Sequence, residues 1–247
     1  MTDKPFKPSG VNPALVTPFT RTEEVDEAAF RRLIRHVLPH VNGLVPCGTT
    51  GEFPYLSVAE QKRLVEIAVE EAGGKPVIAG TGAAGTRQAI ELARNAKAAG
   101  ATACLVVTPY FLHPSPKGIY QHFYEIATAV DIPIILYNIP QTVGAYLPRR
   151  VVEDLADIPN IVGLKDSSGN LTYTMEILEY AGDRINVLVG HAEVVLPALA
   201  GGCAGMILAS AQVYPEVWQG VLAAVRRGDL EEARRLQRRV QKLSRIF

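Results

Sequence analysis

Asn160-Ile161-Val162-Gly163-Leu164-Lys165-Asp166-Ser167-Ser168-Gly169 decides how the rest of the chain is read. An apolar run enters a lysine, and a polar turn closed by glycine follows. If residues 161–165 form a β-strand, alternation puts Ile161, Gly163 and Lys165 on one face, with Gly163 leaving room beneath the lysine. A lysine ending a buried strand must find a partner or surrender its proton, because desolvation disfavours the charged form. The free amine is scarce otherwise: an unperturbed lysine is unprotonated in only about one molecule in 2,500 at pH 7. Lowering the pKa to roughly 7–8 raises that share about a thousandfold and makes a nucleophile. Taken alone, the segment also fits the commoner lysine whose stem is buried and whose head reaches water.

Outward from this stretch, short apolar runs alternate with helical patterns at a recurrence of about 30 residues. The runs are 11–16, 43–47, 76–79, 103–107, 133–137, 161–165, 187–189 and 205–209. Between them, Ser57-Val58-Ala59-Glu60 is a capping box for a helix that carries Leu64, Ile67 and Ala68 on one side. Ala89, Leu92, Ala93, Ala96 and Ala99 form a second stripe, Ile119, Phe123 and Ile126 a third, and Leu147-Pro148 opens a helix through Val151, Val152 and Leu155. Eight strands alternating with eight helices predict an α/β fold, a (β/α)8 TIM barrel over residues 1–228. An open doubly wound sheet is the alternative, but even units without a second domain favour closure. Asp229-Leu230-Glu231-Glu232 begins a short C-terminal helical extension over 229–247, with Leu236, Val240, Leu243 and Phe247 on its apolar side. Its arginines and lysine (Arg234, Arg235, Arg238, Arg239, Lys242, Arg245) are spaced as a solvated helix face.

Composition narrows the function. Of 247 residues, 48% are hydrophobic, enough for a large core, and Lys plus Arg (25) balance Asp plus Glu (25), so no nucleic-acid footprint is expected. The apolar runs are strand-length, so no membrane span is expected, and the polar, proline-containing start is unlike a secretory signal. Cys47, Cys104 and Cys203 lie far apart without CxxC spacing and read as buried residues of a reducing, cytoplasmic protein. The histidines (36, 40, 113, 122, 191) show no metal-ligand spacing, although His113 and His191 fall where they could line a mouth. Gly80-Thr81-Gly82-Ala83-Ala84-Gly85 fits G-x-G-x-x-G, but no Asp or Glu follows about 20 residues on, so a tight βα loop is the better reading.

In such barrels the active site lies on the loops at the carboxyl ends of the strands. The second strand is followed by Gly48-Thr49-Thr50-Gly51-Glu52, whose hydroxyls and backbone N–H groups suit a small carboxylate. After the fourth come Thr108, Pro109, Tyr110 and Phe111. The fifth ends in Tyr137-Asn138 with Tyr137 on the face of Ile135, the sixth delivers Lys165, the seventh ends in Gly190, and the eighth carries Ile207 and Ser210. One lysine, one tyrosine and a threonine pair thus converge on one mouth. That set matches Schiff-base catalysis, in which an amine attacks a ketone, a phenol moves protons, and hydroxyls with backbone donors hold the carboxylate.

At these residues the chain resembles the dihydrodipicolinate synthase / N-acetylneuraminate lyase family of pyruvate-dependent class I aldolases. The resemblance is carried in order by Gly48-Thr49-Thr50-Gly51-Glu52, Thr108-Pro109-Tyr110, Gly118-Ile119-Tyr120-Gln121-His122-Phe123, Tyr137-Asn138-Ile139-Pro140 with Gly144, and Gly163 to Gly169. It implies a barrel assembled as a homotetramer, a dimer of dimers, with no metal and no organic cofactor. It implies catalytic roles for Lys165 (imine with pyruvate or another 2-oxo acid), Tyr137 and Thr49 (proton relay). Gly48, Thr50, Tyr110, Gly190, Ile207 and Thr142 are the implied substrate contacts.

Three departures shape the expected substrate. Synthases of the family carry an arginine in the loop after Tyr-Asn-x-Pro that grips the second substrate's carboxylate, and here Thr142 stands there. A second tyrosine after Thr-Pro-Tyr, which reaches into the neighbouring subunit's site, is Phe111. The family's C-terminal helical region is longer than this chain's. The expected activity is therefore aldol cleavage or condensation between a 2-oxo acid and an aldehyde, of the 2-keto-3-deoxy acid type. The alternatives are a dihydrodipicolinate synthase that condenses pyruvate with aspartate semialdehyde, and a non-catalytic barrel that binds a keto acid. Arg149 and His113 are candidate replacements for the missing arginine.

Overall fold

Seven short strands form one all-parallel sheet in the computed structural model, which describes residues 6–244. They are β1 (Gly10–Pro13), β2 (Ile78–Gly80), β3 (Ala103–Val107), β4 (Ile134–Asn138), β5 (Ile161–Asp166), β6 (Asn186–Val189) and β7 (Gly205–Leu208). Their order is β1-β7-β6-β5-β4-β3-β2. Six are buried at every residue, as parallel strands covered by helices on one side and core on the other must be, and β6 departs only at Asn186.

The gap between β1 and β2 is closed by the second expected strand in reduced form. Residues 43–47 make isolated parallel bridges, Ala14 with Val45 and Leu44 with Val77, instead of a regular strand. Leu15 N donates to Val45 O (3.0 Å), Val45 N to Pro13 O (3.1 Å), Leu44 N to Pro76 O (2.9 Å) and Ile78 N to Leu44 O (2.9 Å). The expectation of eight regular strands is corrected to seven strands and one bridged stave. Pro46 has no N–H to give the ladder, and Cys47 leaves extended geometry at φ 56°. The barrel is nevertheless a closed (β/α)8 barrel.

The helices are α1 (Glu27–Val37), α2 (Val58–Glu71), α3 (Thr86–Ala98), α4 (Pro116–Ala129), α5 (Pro140–Val143), α6 (Arg149–Leu155), α7 (Leu171–Ala181), α8 (Val195–Ala200), α9 (Pro215–Arg226) and α10 (Leu230–Ser244). Local chemistry starts them: Ser57 and Glu60 form the expected capping box on α2, Ser115 caps α4, whose first residue is Pro116, and Asn170 caps α7. Asp229 Oδ1 accepts from Glu232 N at 3.0 Å at the start of α10. That helix lays Ala233, Leu236 and Val240 against the barrel and turns Arg234, Arg235, Arg238, Arg239 and Lys242 outward. The side chain of Leu243, together with Arg245 and Phe247, lies outside the described residues. No helix among the described residues is long and apolar enough to cross a membrane.

Two details of β5 bear on the site. Its register with β4 slips once, pairing Ile134 with Ile161 but Ile135 with Gly163, and then runs true to bring Tyr137 opposite Lys165. The space that Gly163 leaves is filled: a Cβ there would stand 2.9 Å from Pro8 Cγ and 2.9 Å from Asn186 O. Pro8 is held by Asn186 Nδ2, which donates to its carbonyl at 3.0 Å, so the segment before β1 plugs the amino end of the barrel beneath Lys165.

Candidate active site

A cavity of about 640 Å³ opens at the carboxyl ends of the strands, within the usual range for small-molecule sites. Its wall includes Thr49, Thr50, Tyr137, Thr142, Lys165, Gly190 and Ile207, seven of the nine residues singled out from the sequence. The other two stand elsewhere. Gly48 borders a small void behind Thr49 and Tyr137, whereas Tyr110 lines neither space and sets its half-buried ring edge-on to Phe53 at 5.9 Å.

Lys165 is 4% exposed, and its Nζ stands 4.0 Å from the centroid of the Tyr137 ring. Its aliphatic stem runs past Gly190. A Cβ on that glycine would meet Lys165 Cε at 2.8 Å and Ser167 Oγ at 2.1 Å, so only glycine admits the lysine along this line. The Tyr137 hydroxyl lies 3.4 Å from Thr49 Oγ1. Burial alone would push the phenol up, but the Lys165 charge and hydrogen bonding with Thr49, Ser167 and Lys165 outweigh it and hold Tyr137 below the ordinary tyrosine value.

The strand ends are tied together by a buried carboxylate on the residue after the lysine. Asp166 accepts from Asn138 Nδ2 (2.9 Å), Ser168 N (3.0 Å), Ser168 Oγ (3.0 Å) and Thr174 Oγ1 (2.7 Å). Leu147 N donates in turn to Asn138 Oδ1 at 2.9 Å, so β4, β5, the loop before α7 and α7 itself share one network. With every Asp166 oxygen satisfied, the buried charge rigidifies the mouth.

The outer wall differs from the sequence expectation. Arg149 pairs with Glu153 at 2.9 Å and stacks over Tyr180 at 4.0 Å, and His113 Nε2 meets Val143 O at 2.8 Å; neither lines the cavity. Among the described residues, Lys165 is the only lysine or arginine on the wall. His191 and Ser210 line it as their positions at the strand ends suggested, and Gln141 and Glu193 join them and Thr142 there. Ser167, also on the wall, was legible in principle: it stands two residues beyond Lys165 and so on the same face of β5 extended. Glu193 carries no such signal, because it sits in a 3-10 turn (Ala192–Val194) placed by tertiary contacts. Gln237 of α10 holds that turn, with Nε2 donating to Glu193 O (3.0 Å) and Oε1 accepting from Leu196 N (2.9 Å). No group of three or more His, Cys, Asp or Glu side chains among the described residues has the arrangement to hold a metal ion.

Comparison with known proteins shows the family and agrees with the fold. The model of the dihydrodipicolinate synthetase family matches residues 7–247. A 4-hydroxy-tetrahydrodipicolinate synthase of Nitratidesulfovibrio vulgaris (strain Miyazaki F) is 44% identical over 96% of this chain and 82% of its own length. The crystal structure of dihydrodipicolinate synthase from Aquifex aeolicus superposes with a TM-score of 0.93 at 37% identity, covering 96% of this chain and 82% of that one. A prophage protein of the dihydrodipicolinic acid synthase family from E. coli K12, solved in complex with pyruvate, gives a TM-score of 0.92 at 30% identity over 96% and 82%.

Proposed function

This chain belongs to the dihydrodipicolinate synthetase family, and from that premise we propose that it is a carbon–carbon lyase that joins a 2-oxo acid, pyruvate or a close relative, to an aldehyde through a Schiff base on Lys165. The observation that carries the reading is the Lys165 amine held 4.0 Å over a tyrosine ring whose hydroxyl faces Thr49 at 3.4 Å. The neutral amine attacks the keto carbon to give a carbinolamine. Tyr137 delivers a proton to the departing hydroxyl, water leaves, and the imine forms. Loss of a proton from the adjacent carbon gives the enamine, whose carbon adds to the aldehyde, and hydrolysis returns Lys165. Cleavage runs the same steps backward. Thr49 and Thr50 hold the carboxylate, and Ile207 and Gly190 border the keto acid.

The second substrate meets Thr142, Gln141, His191 and Glu193. A wall without arginine among the described residues, carrying the Glu193 carboxylate, favours a neutral hydroxylated aldehyde over one that brings a second carboxylate. A second reading has its own support: the relatives at 42–44% identity are 4-hydroxy-tetrahydrodipicolinate synthases. The two are separated by kcat/KM for condensing pyruvate with aspartate semialdehyde against that for cleaving 2-keto-3-deoxy acids. Superiority of the semialdehyde by tenfold or more refutes the preference for neutral aldehydes. Lys165, Tyr137 and Thr49 together argue against a barrel that only binds keto acids, since binding alone needs no nucleophile. Phe111 (87% exposed, φ 74°) and Leu112 (76% exposed) project from the loop before α4, which supports a homo-oligomer. A cytoplasmic homotetramer is the form proposed, with sedimentation velocity as its test.

A further inference from the structure

Gly80, the first of the glycines that imitate a nucleotide motif, is placed against the site loop. The stave 43–47 runs beside β2, where Gly80 N donates to Pro46 O at 2.9 Å. One residue later Cys47 takes a left-handed conformation (φ 56°), which side chains other than glycine adopt only at a cost. Its Sγ points away from the mouth toward α2, 3.6 Å from Gln61 O. The turn at Cys47 sends Gly48 on in extended geometry (φ −80°, ψ −172°) and into the 3-10 turn Thr49–Gly51. That turn is pinned at its far end, where Thr17 Oγ1 donates to Gly51 O at 2.7 Å.

The near end rests on Gly80. A Cβ there would stand 1.9 Å from Cys47 O, 2.5 Å from Cys47 C and 3.0 Å from Gly48 N. All three atoms belong to one peptide unit, so no side-chain rotation relieves the clash, and the peptide would have to retreat by about 1.5 Å to reach ordinary contact at 3.4 Å. Gly82, by contrast, has Val107 as its nearest neighbour, with a Cβ there meeting Val107 Cγ1 at 2.5 Å.

We propose that Gly80 is a positioning residue for keto-acid binding: it seats the Cys47–Gly48 peptide, and the seat fixes where Thr49 and Thr50 stand on the cavity wall. The proposal rests on the reading of Thr49 and Thr50 as the carboxylate cradle. Two substitutions disturb the same peptide from opposite sides. Gly80→Ala fills the seat, and Cys47→Val leaves the seat empty but places a β-branched side chain where φ is positive. The assay is borohydride labelling of Lys165 with pyruvate and, separately, with acetone, a ketone that reaches the same amine without needing the cradle.

Both variants raise the pyruvate concentration for half-maximal labelling tenfold or more, since displacement of a binding group by about an ångström can cost on that scale. Both keep acetone labelling within twofold of the parent. A folded variant whose half-maximal pyruvate stays within twofold overturns the proposal, as does parallel loss of pyruvate and acetone labelling. Should Gly80→Ala not fold, Cys47→Val decides by the same two criteria. Thr50→Val tells the two levels of the argument apart. A rise there with no effect at Gly80 refutes the seat and keeps the cradle, whereas no rise at Thr50 refutes the cradle and the proposal with it.

Discussion

Replacing Tyr137 with phenylalanine removes one oxygen atom from the site and little else. The ring is 3% exposed and has the Lys165 amine 4.0 Å from its centroid, so a phenylalanine ring in its place keeps the packing that positions the lysine. The lost hydroxyl gives up its hydrogen bonding with Thr49 Oγ1, a long contact at 3.4 Å, and with Ser167 and Lys165, but phenylalanine also escapes the cost of burying a phenol. Folding stability therefore changes by about the worth of one hydrogen bond, about 0.5–1.5 kcal/mol. Catalysis responds on a different scale. A positioned general acid–base contributes about 10²- to 10⁴-fold, which is roughly 3–5 kcal/mol of barrier. The expected result is therefore a fall in kcat of at least two orders of magnitude with a shift in urea midpoint worth no more than ~1.5 kcal/mol. Steady-state kinetics of 2-keto-3-deoxy acid cleavage and urea titration of the same samples measure both. A variant that retains more than a tenth of parental kcat refutes the assignment of Tyr137 as proton carrier. Loss of activity matched by several kcal/mol of destabilisation refutes the claim that the hydroxyl acts chemically and not through packing.

Thr142→Arg restores a cation to the outer wall. A charge-assisted hydrogen bond to the second carboxylate is worth about 1.5–3 kcal/mol, so kcat/KM for aspartate semialdehyde rises about 10- to 150-fold, and an unchanged value places the specificity elsewhere. His122 sets an acid sensitivity: burial drives its pKa down from 6.5 to about 4, with Glu125 opposing weakly. The unfolded chain binds a proton that the folded chain refuses between those values, so this contribution is whole above about pH 6.5 and falls by roughly 3 kcal/mol as pH drops through 4. The H122Q variant should lose correspondingly less stability between pH 7 and pH 4, and equal pH dependence in the two proteins would contradict the assignment. Gln237→Ala frees Leu196 N and Glu193 O at the rim, which raises KM for the aldehyde while half-maximal pyruvate in the labelling assay stays constant; a change confined to pyruvate rules out this role.

How far the sequence could be read depended on whether a position is fixed by local chemistry. The ends of β4 and β5 were legible because strictly apolar runs terminate in Tyr137 and Lys165, and the period of two decides which way each points. Ser57 with Glu60, and Asp229, announced their helices by spacing alone. The stave at 43–47 was read as a full strand because its composition is apolar, whereas its hydrogen bonding is limited by Pro46 and by the left-handed Cys47, which no periodicity reveals. The outer wall was the least legible. Glu193 reaches it through a turn held by Gln237, 44 residues downstream, and Arg149 is drawn off it by Glu153 and Tyr180. The placement of Glu193 is tertiary and leaves no trace in the sequence near it, whereas Glu153, four residues beyond Arg149 on the same helix, is a local sign of that pairing. The glycine pattern 80–85 reads from the sequence as a tight βα loop, and its first member gains a purpose only when the peptide lying on it is seen.

Every step proposed for this site starts from Lys165 as the amine that forms the imine. Pyruvate and borohydride added together, followed by proteolysis and peptide mass spectrometry, test it directly. One reduced adduct per chain is expected, on the peptide containing Lys165, and none in Lys165→Ala. An adduct on a different lysine, or full labelling of Lys165→Ala, would contradict it.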